Sequence, residues 1–311
     1  MKSGIKVFAP ASVGNVGIGF DCLGLCLDKP GDEIIAKFSD EFSGLRITEI
    51  TGAKGKLPTD PERNTAGVAA LRLLEHLGEQ KRGIEFRLHK KMPFGSGLGS
   101  SAASAVAGAM AINELFRRPL EKRALLPFAM AGEEIASGSR HADNVAPSLL
   151  GGLILIRDNA SLDVHRLPLL RGLQVVVIYP HIEIMTEEAR ALLSPNVSLA
   201  DYTQQSANLA SFTVAAYTGD LDLMQRSLND IIIEPQRKKL IPGFDEAKAA
   251  ALHHGALGCS ISGSGPSIFA LCQNSLVAEN VAGGIQSIFD QRKIQSQRFI
   301  SGINQEGAVK C

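Results

Sequence analysis

The chain has 311 residues, of which 45% are hydrophobic and 21% are charged, and its 32 lysines and arginines balance 32 aspartates and glutamates. This length and composition are typical of a soluble globular enzyme with room for two domains and a substantial core. The zero net charge, without a basic run interleaved with aromatic residues, argues against a nucleic-acid or anionic-membrane partner.

The first half of the chain alternates predicted strands and helices. Apolar and polar residues alternate over 84–89, which is typical of an antiparallel strand with one exposed face. The apolar run 149–156 is predicted to be a buried strand. The other predicted elements are strands around Val7, at 34–38 and at 45–47, and helices at 64–77, from about Ser100 onward and at 120–137.

The second half continues this mixture after a turn. Residues 157–161 have turn composition, and we take them as the boundary between two domains, 1–160 and 161–311. Beyond the boundary we predict strands at 173–179, 259–261 and 267–271, and helices at 186–193, 199–218, 221–231 and 244–254. By itself this order predicts an α+β chain of two domains.

A glycine-serine loop precedes the alanine-rich helix. Its sequence is Pro93-Phe94-Gly95-Ser96-Gly97-Leu98-Gly99-Ser100-Ser101. Glycines at alternate positions allow backbone conformations closed to other residues, so main-chain N–H groups can converge on an anion. The start of the helix adds unpaired N–H groups and the positive end of its dipole. We therefore predict a phosphate-binding loop in which Ser100 or Ser101 offers a hydroxyl to a phosphate or a metal ion.

Three other interpretations of this loop are weaker. A Walker A loop needs a lysine followed by Ser or Thr, but the Gly55-Lys56 pair is followed by Leu57. Residues 97–102 satisfy the Rossmann pattern G-x-G-x-x-A, yet the preceding strand alternates and no second strand ending in a ribose-binding acid follows. A glycine-rich turn without a ligand would only weaken the fold, because ordering glycines costs conformational entropy.

Four further segments accompany the loop PFGSGLGSSAAS at 93–104. PASVGNVGIGFDCLG lies at 10–24, SGSRHADNVAP at 137–147, EPQR at 234–237 and SGSGPSIFAL at 262–271. In this order they resemble the motifs of the GHMP kinases, the superfamily of galactokinase, mevalonate kinase and homoserine kinase. The first motif and the segments at 137–147 and 234–237 are similar to the homoserine kinase form.

The resemblance implies a specific two-domain architecture. The N-terminal domain would be of the ribosomal protein S5 domain 2-like type, with a left-handed βαβ crossover, and the C-terminal domain would be ferredoxin-like. It also implies ATP and Mg²⁺ as cofactors, and a homodimer because family members commonly form one.

The resemblance places ATP on the loop and gives Mg²⁺ two oxygen ligands. The nucleotide-binding residues it implies are Pro93, Gly95, Ser96, Gly97, Leu98, Gly99, Ser100 and Ser101, with Asn64 nearby. Glu133, eight residues before His141 as in the homoserine kinases, is paired with the Ser100 hydroxyl on the ion. One carboxylate and one hydroxyl, completed by phosphate oxygens and water, suit Mg²⁺. A solvated helix face is the alternative for Glu133, and an ordinary N-cap is the alternative for Asn64.

The implied acceptor is L-homoserine, whose two charged groups require opposite charges in the pocket. A carboxylate calls for an arginine fork and an ammonium group for a carboxylate. Arg190, Arg237 and Asp21 match the family's residues for these groups. The resemblance adds Asn15, His141, Asp143 and Gly263 to the substrate pocket. A turn role for Asn15 and a hydrogen-bonded structural role for His141 remain open.

Asn144 follows Asp143 where mevalonate kinase relatives use an aspartate as the base. An amide cannot accept the proton of the substrate hydroxyl. We expect Asn144 and Arg190 to position the hydroxyl while the γ-phosphate takes its proton, which a loose transition state permits. Asp143 remains the alternative base.

The implied reaction transfers the γ-phosphoryl group of ATP to the homoserine hydroxyl in threonine synthesis. A kinase for a mevalonate-type alcohol and a catalytically silent binding protein on the same scaffold are the alternatives. The two arginines with Asp21 favour an amino acid, and the intact loop with Glu133 favours catalysis. Five cysteines without metal-site or C-x-x-C spacing, and the lack of an apolar segment suited to a signal peptide or membrane span, predict a cytoplasmic protein with reduced thiols.

Overall fold

The computed structural model describes residues 4–138 and 140–311, which form two β-sheets covered by helices. The strands are β1 (Ile5–Gly14), β2 (Leu23–Phe38), β3 (Leu45–Thr51), β4 (Ile84–His89), β5 (Leu153–Asp158), β6 (Asp163–Leu167), β7 (Gln174–Pro180), β8 (Gly258–Ile261), β9 (Ile268–Cys272), β10 (Ser296–Gly302) and β11 (Val309–Lys310). The α-helices are α1 (Thr65–Leu77), α2 (Ser100–Leu115), α3 (Leu126–Ser137), α4 (Val145–Leu150), α5 (Thr186–Ala191), α6 (Leu199–Thr218), α7 (Leu221–Ser227), α8 (Glu234–Arg237), α9 (Phe244–His253) and α10 (Ser275–Gln291).

The first sheet has seven strands in the order β11-β1-β2-β4-β3, and β5 joins β2 while β6 joins β5. Strands β3 and β4 are parallel and α1 lies between them in the chain, so they form a βαβ unit. The remaining pairs in this sheet are antiparallel. The predicted crossover is therefore present, and its left hand stays a prediction.

The second sheet has four antiparallel strands in the order β10-β7-β9-β8. Along the chain, β7 is followed by helices α5 to α9, then by β8, β9, α10 and β10. This is the βαββαβ order of ferredoxin-like domains. The predicted α+β fold is confirmed in both halves.

Both faces of the central strands of the second sheet, β7 and β9, are buried. Val175 and Val177 of β7 belong to the larger apolar core, which is shared with the first sheet, whereas Val176 and Ile178 belong to a smaller core that includes residues of α9 and α10. A strand buried on both faces needs apolar residues at successive positions, which accounts for the unbroken run in β7. The second sheet therefore packs between the two cores.

The two sheets do not divide the chain at a single point. Strand β6 follows residue 160 yet pairs with β5, and β11 returns from the end of the chain to pair with β1. Residue 160 itself lies in the turn of the β5–β6 hairpin. The division into 1–160 and 161–311 stays a prediction.

Three predicted elements were wrong in part. The helix predicted at 120–137 becomes α-helical only at Leu126, after a short 3-10 turn at Lys122–Leu125. The run 149–156 comprises the end of α4, a pair of glycines and the start of β5, because periodicity cannot distinguish a buried helical turn from a strand over so few residues. The helix predicted at 221–231 ends at Ser227. The structure also contains α10 and β10 beyond the last predicted strand.

Candidate active site

The predicted phosphate loop connects β4 to α2. It packs against the two other glycine-rich motifs, at 10–24 and 262–271. Gly97 and Gly99 have φ angles of 74° and 67°, which glycine adopts without strain. A Cβ at position 97 would lie 2.5 Å from the carbonyl oxygen of Ser262, and one at position 99 would lie 2.3 Å from Oγ of Ser12. Glycine is therefore required at both positions by close packing as well as by conformation.

The loop ends at the N-terminus of a long helix. Helix α2 begins at Ser100, and its N-cap residue is Gly99. Because glycine has no side chain, the N-cap provides no side-chain acceptor for the first N–H groups of the helix. Such unpaired donors, together with the helix dipole, favour an anion. The Ser96 hydroxyl is also buried and has no hydrogen-bond partner among the described residues. These unused donors fit the oxygen atoms of a triphosphate.

Glu133 lies on α3 and faces the first turn of α2. Ser101 Oγ donates a hydrogen bond of 2.9 Å to Glu133 Oε1, whereas Ser100 Oγ lies 3.3 Å from Oδ2 of Asp32. Successive helical residues point about 100° apart, so only one of the two serines can face α3. The structure therefore places Ser101 beside Glu133, where the resemblance had implied Ser100. The metal-binding role of either serine stays a prediction.

The Glu133 carboxyl lies in a nearly dry environment. Burial raises its pKa to about 7, and the negative charge of Asp143 adds to the rise, while the hydrogen bond from Ser101 opposes it. Across the described part of the chain no group of three His, Cys, Asp or Glu side chains is arranged to hold a metal ion. A carboxylate and a hydroxyl fit Mg²⁺ only when nucleotide oxygens and water complete the octahedron.

Asp21 and Arg190 form a two-pronged ion pair on the acceptor side of the site. Arg190 Nη2 lies 2.9 Å from Oδ1 of Asp21, and Nη1 lies 3.1 Å from Oδ2. The Asp21 N–H donates to Asn15 Oδ1 at 2.9 Å, and His141 Nδ1 is 3.4 Å from Asp21 Oδ2. The sequence placed these two charges at opposite ends of a substrate, but the structure joins them to each other.

Arg237 reaches the same region from α8 and is only 3% exposed. Its Nε donates to the carbonyl oxygen of Ala189 at 3.2 Å, and its Nη1 donates to that of Gly263 at 3.1 Å. Asn15 Nδ2 donates to the Gly263 oxygen as well, at 3.0 Å. Burial lowers the pKa of Arg237, and the charge of Arg190 adds to this effect.

An aromatic ring that the sequence analysis did not assign lies beside both arginines. The guanidinium carbons of Arg190 and Arg237 each lie 5.2 Å from the ring centroid of Phe20. At this distance the ring attracts both cations. Phe20 therefore helps to keep two like charges close together.

Asn144 lies between the Asp143 carboxyl and the phosphate loop. Its Oδ1 accepts a hydrogen bond of 2.9 Å from Ser12 Oγ, and its Nδ2 donates one of 3.2 Å to Asp143 Oδ2. The Ser12 N–H donates to the carbonyl oxygen of Leu98 at 3.1 Å. Burial raises the pKa of Asp143 to about 7, with a further contribution from the charge of Asp21.

Most of the predicted site residues are thus brought together, but Asn64 is occupied elsewhere. It caps α1, accepting from the N–H groups of Ala66 and Gly67 and donating to the carbonyl oxygen of Pro58. Its nucleotide-binding role stays a prediction.

Gly95 lies in the first part of the loop with Pro93, and a Cβ there would meet no atom of the described residues within 4 Å.

Sequence reasoning missed Ser12 and the pair formed by Asp32 and Lys90. Ser12 is fully buried and links Asn144 to the loop, and the ion pair lies beneath the loop. The available signal for Ser12 was a polar residue within the apolar run from Val7 to Val13 of β1. Polar groups at such positions are buried only when they are hydrogen-bonded.

Two family profiles match this chain in the order of its two sheets. Residues 64–152 match the family described as "GHMP kinases N terminal domain", and residues 212–291 match "GHMP kinases C terminal". The crystal structure of L. major mevalonate kinase in complex with R-mevalonate has a TM-score of 0.74 at 18% identity, with 96% of each chain covered, and so shares the fold. Fold and site together define a small-molecule kinase of the GHMP type.

More similar relatives narrow this class. The chain is 44% identical over 312 residues to the homoserine kinase of Chlorobium phaeobacteroides (strain BS1), covering 97% of each protein. The crystal structure of homoserine kinase from Cytophaga hutchinsonii ATCC 33406 is 50% identical with a TM-score of 0.97, covering 100% of this chain and 98% of that one. The chain belongs to the homoserine kinase family. None of the helices within 4–138 and 140–311 combines the length and hydropathy needed to cross a membrane.

Proposed function

We propose that this protein transfers the γ-phosphoryl group of ATP to the side-chain hydroxyl of L-homoserine, forming O-phospho-L-homoserine and ADP for threonine synthesis. The observation that carries the proposal is the contact between the phosphate loop and the acceptor side. A Cβ at Gly99 would lie 2.8 Å from Asn144 Oδ1. A phosphate on the loop would therefore lie next to the groups proposed to hold the acceptor hydroxyl.

The phosphate loop provides a binding surface for the triphosphate, and no residue forms a covalent bond to the transferred phosphoryl group. Backbone N–H groups of the loop and of the first turn of α2 bind phosphate oxygens, and the Ser96 hydroxyl offers another donor. Phosphoryl transfer through a loose transition state depends mainly on positioning and electrostatic stabilisation. A rigid cradle beside the acceptor provides both.

Glu133 and Ser101 are the proposed protein ligands for Mg²⁺, with Ser100 as the alternative to Ser101. A bound Mg²⁺ neutralises charge on the phosphate oxygens. The raised pKa of Glu133 reflects a carboxylate held away from water, where a nearby cation would favour the charged form. The hydrogen bond from Ser101 orients one carboxylate oxygen of Glu133 before any ion arrives.

The acceptor pocket is proposed to hold both charged groups of homoserine. Within the described residues, Arg237 donates to two carbonyl oxygens and to no carboxylate, so its charge is available to the substrate carboxylate. Asp21 receives the substrate ammonium group, with Arg190 and His141 beside it. Asn15 and Gly263 form the wall between Asp21 and Arg237.

Asn144 is proposed to orient the attacking hydroxyl, and the γ-phosphate to take its proton. The Asn144 amide is held from both sides, by Ser12 and by Asp143, and so presents a fixed dipole. Asp143 has a pKa of about 7 and is the alternative proton acceptor. The homodimer and the cytoplasmic location implied by the family resemblance remain predictions.

A coupled ADP-release assay with L-homoserine, L-serine and mevalonate tests the proposal. Serine is one methylene shorter than homoserine, and a misplacement of about 1 Å costs roughly 100-fold in such positional catalysis, so kcat/KM for homoserine should exceed that for serine by at least this factor. Mevalonate lacks an ammonium group for Asp21 and should be inert. ADP release without an acceptor measures background hydrolysis. A preference for mevalonate would overturn the proposed substrate while leaving the kinase class intact.

A further inference from the structure

A buried ion pair lies beneath the phosphate loop. Lys90 follows the last residue of β4, and its ammonium group contacts Oδ2 of Asp32 on β2. The two side chains are only 6% and 2% exposed. Burying two charges is expensive unless both are fully hydrogen-bonded, so the arrangement around them is informative.

The Lys90 ammonium uses all three of its donors. Besides Asp32, it donates to the carbonyl oxygen of Ser100 at 2.9 Å and to Ser104 Oγ at 2.6 Å. Both partners belong to the first turns of α2, the helix that the loop enters. A lysine near a helix N-terminus opposes the helix dipole unless an acid compensates it, as Asp32 does here.

Asp32 binds the other end of the loop. Its Oδ1 accepts from the backbone N–H of Lys91 at 2.9 Å and from that of Met92 at 3.3 Å. Its Oδ2 also lies 3.3 Å from Ser100 Oγ. The pair therefore holds both the residues that precede segment 93–99 and the residue that follows it.

We propose that Asp32 and Lys90 are positioning residues that tie the two ends of the phosphate loop together, so that its N–H groups are ordered before ATP arrives. The proposal rests on the proposed nucleotide-binding role of the loop. A loop with several glycines loses much conformational entropy when it becomes ordered. Where the chain has already ordered the loop, nucleotide binding does not bear that cost.

The test compares Lys90→Met, Asp32→Asn and the double variant with a matched control. Lys91→Met is the control, because Lys91 is the adjacent residue and its ammonium pairs with Glu33 at the surface. We expect Lys90→Met to raise the KM for ATP about tenfold or more while the KM for homoserine changes less than about twofold, and we expect the control to change neither. Hydrogen exchange at the loop amides without nucleotide should become faster in Lys90→Met but not in Lys91→Met.

The double variant separates positioning from stability. Each single variant leaves a buried charge without its partner and is expected to lower the melting temperature, whereas the double variant removes both charges and should recover part of that loss. The ATP KM and the loop exchange should nevertheless stay raised, because the thioether introduced by Lys90→Met has no hydrogen to donate to the Ser100 carbonyl. The proposal would be overturned if the KM for ATP and the loop exchange of the double variant recovered together with its stability. It would also be overturned if loop exchange were unchanged in every variant. If the parent protein bound no ATP, the proposed function would fail, and the exchange data would still decide the positioning role.

Discussion

Ser101 donates a hydrogen bond of 2.9 Å to Glu133, and this contact joins the first turn of α2 to α3 at the end of the phosphate loop. Its neighbour Ser100 instead faces Asp32. The two serines are adjacent in the sequence and equivalent in chemistry, so only the packing of the helices separates their surroundings. They provide a matched pair for testing the metal site.

Glu133→Gln should lower kcat by at least about 100-fold, since it removes a charged ligand where phosphate charge must be neutralised. Ser101→Ala should lower kcat about tenfold and raise the Mg²⁺ concentration needed for half-maximal rate, because it releases the orienting hydrogen bond to a charged group. Ser100→Ala is the control and should cost less. Steady-state rates over a Mg²⁺ titration measure all three. A large loss in Ser100→Ala with none in Ser101→Ala would assign the metal to Ser100.

Arg237→Leu should raise the KM for homoserine by about 10- to 100-fold, the cost of losing one charge-assisted hydrogen bond, and should change the KM for ATP little. Lys239→Leu, an exposed position two residues away, serves as the control. Initial rates with each substrate varied in turn measure the two constants. An increase confined to the KM for ATP would place Arg237 in the nucleotide site.

Gly97→Ala should be far more damaging than Gly95→Ala. Both positions have positive φ, 74° and 64°, so both variants share the backbone strain. The Cβ at 97 would also lie 2.5 Å from the carbonyl oxygen of Ser262, whereas the Cβ at 95 would meet no described atom within 4 Å. ATP affinity measured by calorimetry should therefore fall at least about tenfold further in Gly97→Ala, since a displacement of about 1 Å misaligns the donors of the loop. Equal losses would show that backbone strain alone matters.

The Asp143→Asn substitution should stabilise the protein more at high pH than at low pH. The pKa of Asp143 is about 7 in the folded protein, above its ordinary value of 3.8, because it is buried near Asp21. Between these values the folded state binds a proton that the unfolded state has lost, so the parent loses stability as pH rises, by up to about 1.4 kcal/mol per pH unit. Asparagine does not titrate. The gain in melting temperature should thus grow from about pH 4 to about pH 7 and then level off; a gain independent of pH would contradict the shifted pKa.

The same variant identifies the proton acceptor. If the γ-phosphate takes the proton, Asp143→Asn should retain kcat at about pH 8 within about tenfold, whereas loss of a general base costs roughly 100- to 10,000-fold. Single-turnover rates at saturating ATP and homoserine separate this chemical step from binding. Asp230→Asn is a useful control, since Asp230 is also a buried acid with a raised pKa but hydrogen-bonds the start of α8.

The sequence by itself determined the elements whose signals are local. Helix α6 and strand β4 were predicted with the limits observed. The residues of β4 alternate between apolar and polar, and α6 ends at Gly219, which adopts the left-handed conformation. The loop at 93–101 was recognised from its glycines at alternate positions, a local signal that matches the positive φ angles of Gly95, Gly97 and Gly99. The motifs and their order along the chain were sufficient to identify the family.

Only the tertiary structure decided which side chains meet at the site. Ser101 rather than Ser100 reaches Glu133, Asp21 pairs with Arg190 instead of standing alone, and Lys90 is buried where its sequence context would equally suit a surface lysine. The first two contacts join residues 32 and 169 positions apart, and the choice between the serines depends on the rotation of one helix against another. Ion pairs and hydrogen bonds depend on distance in space, and no local period of the sequence encodes that distance.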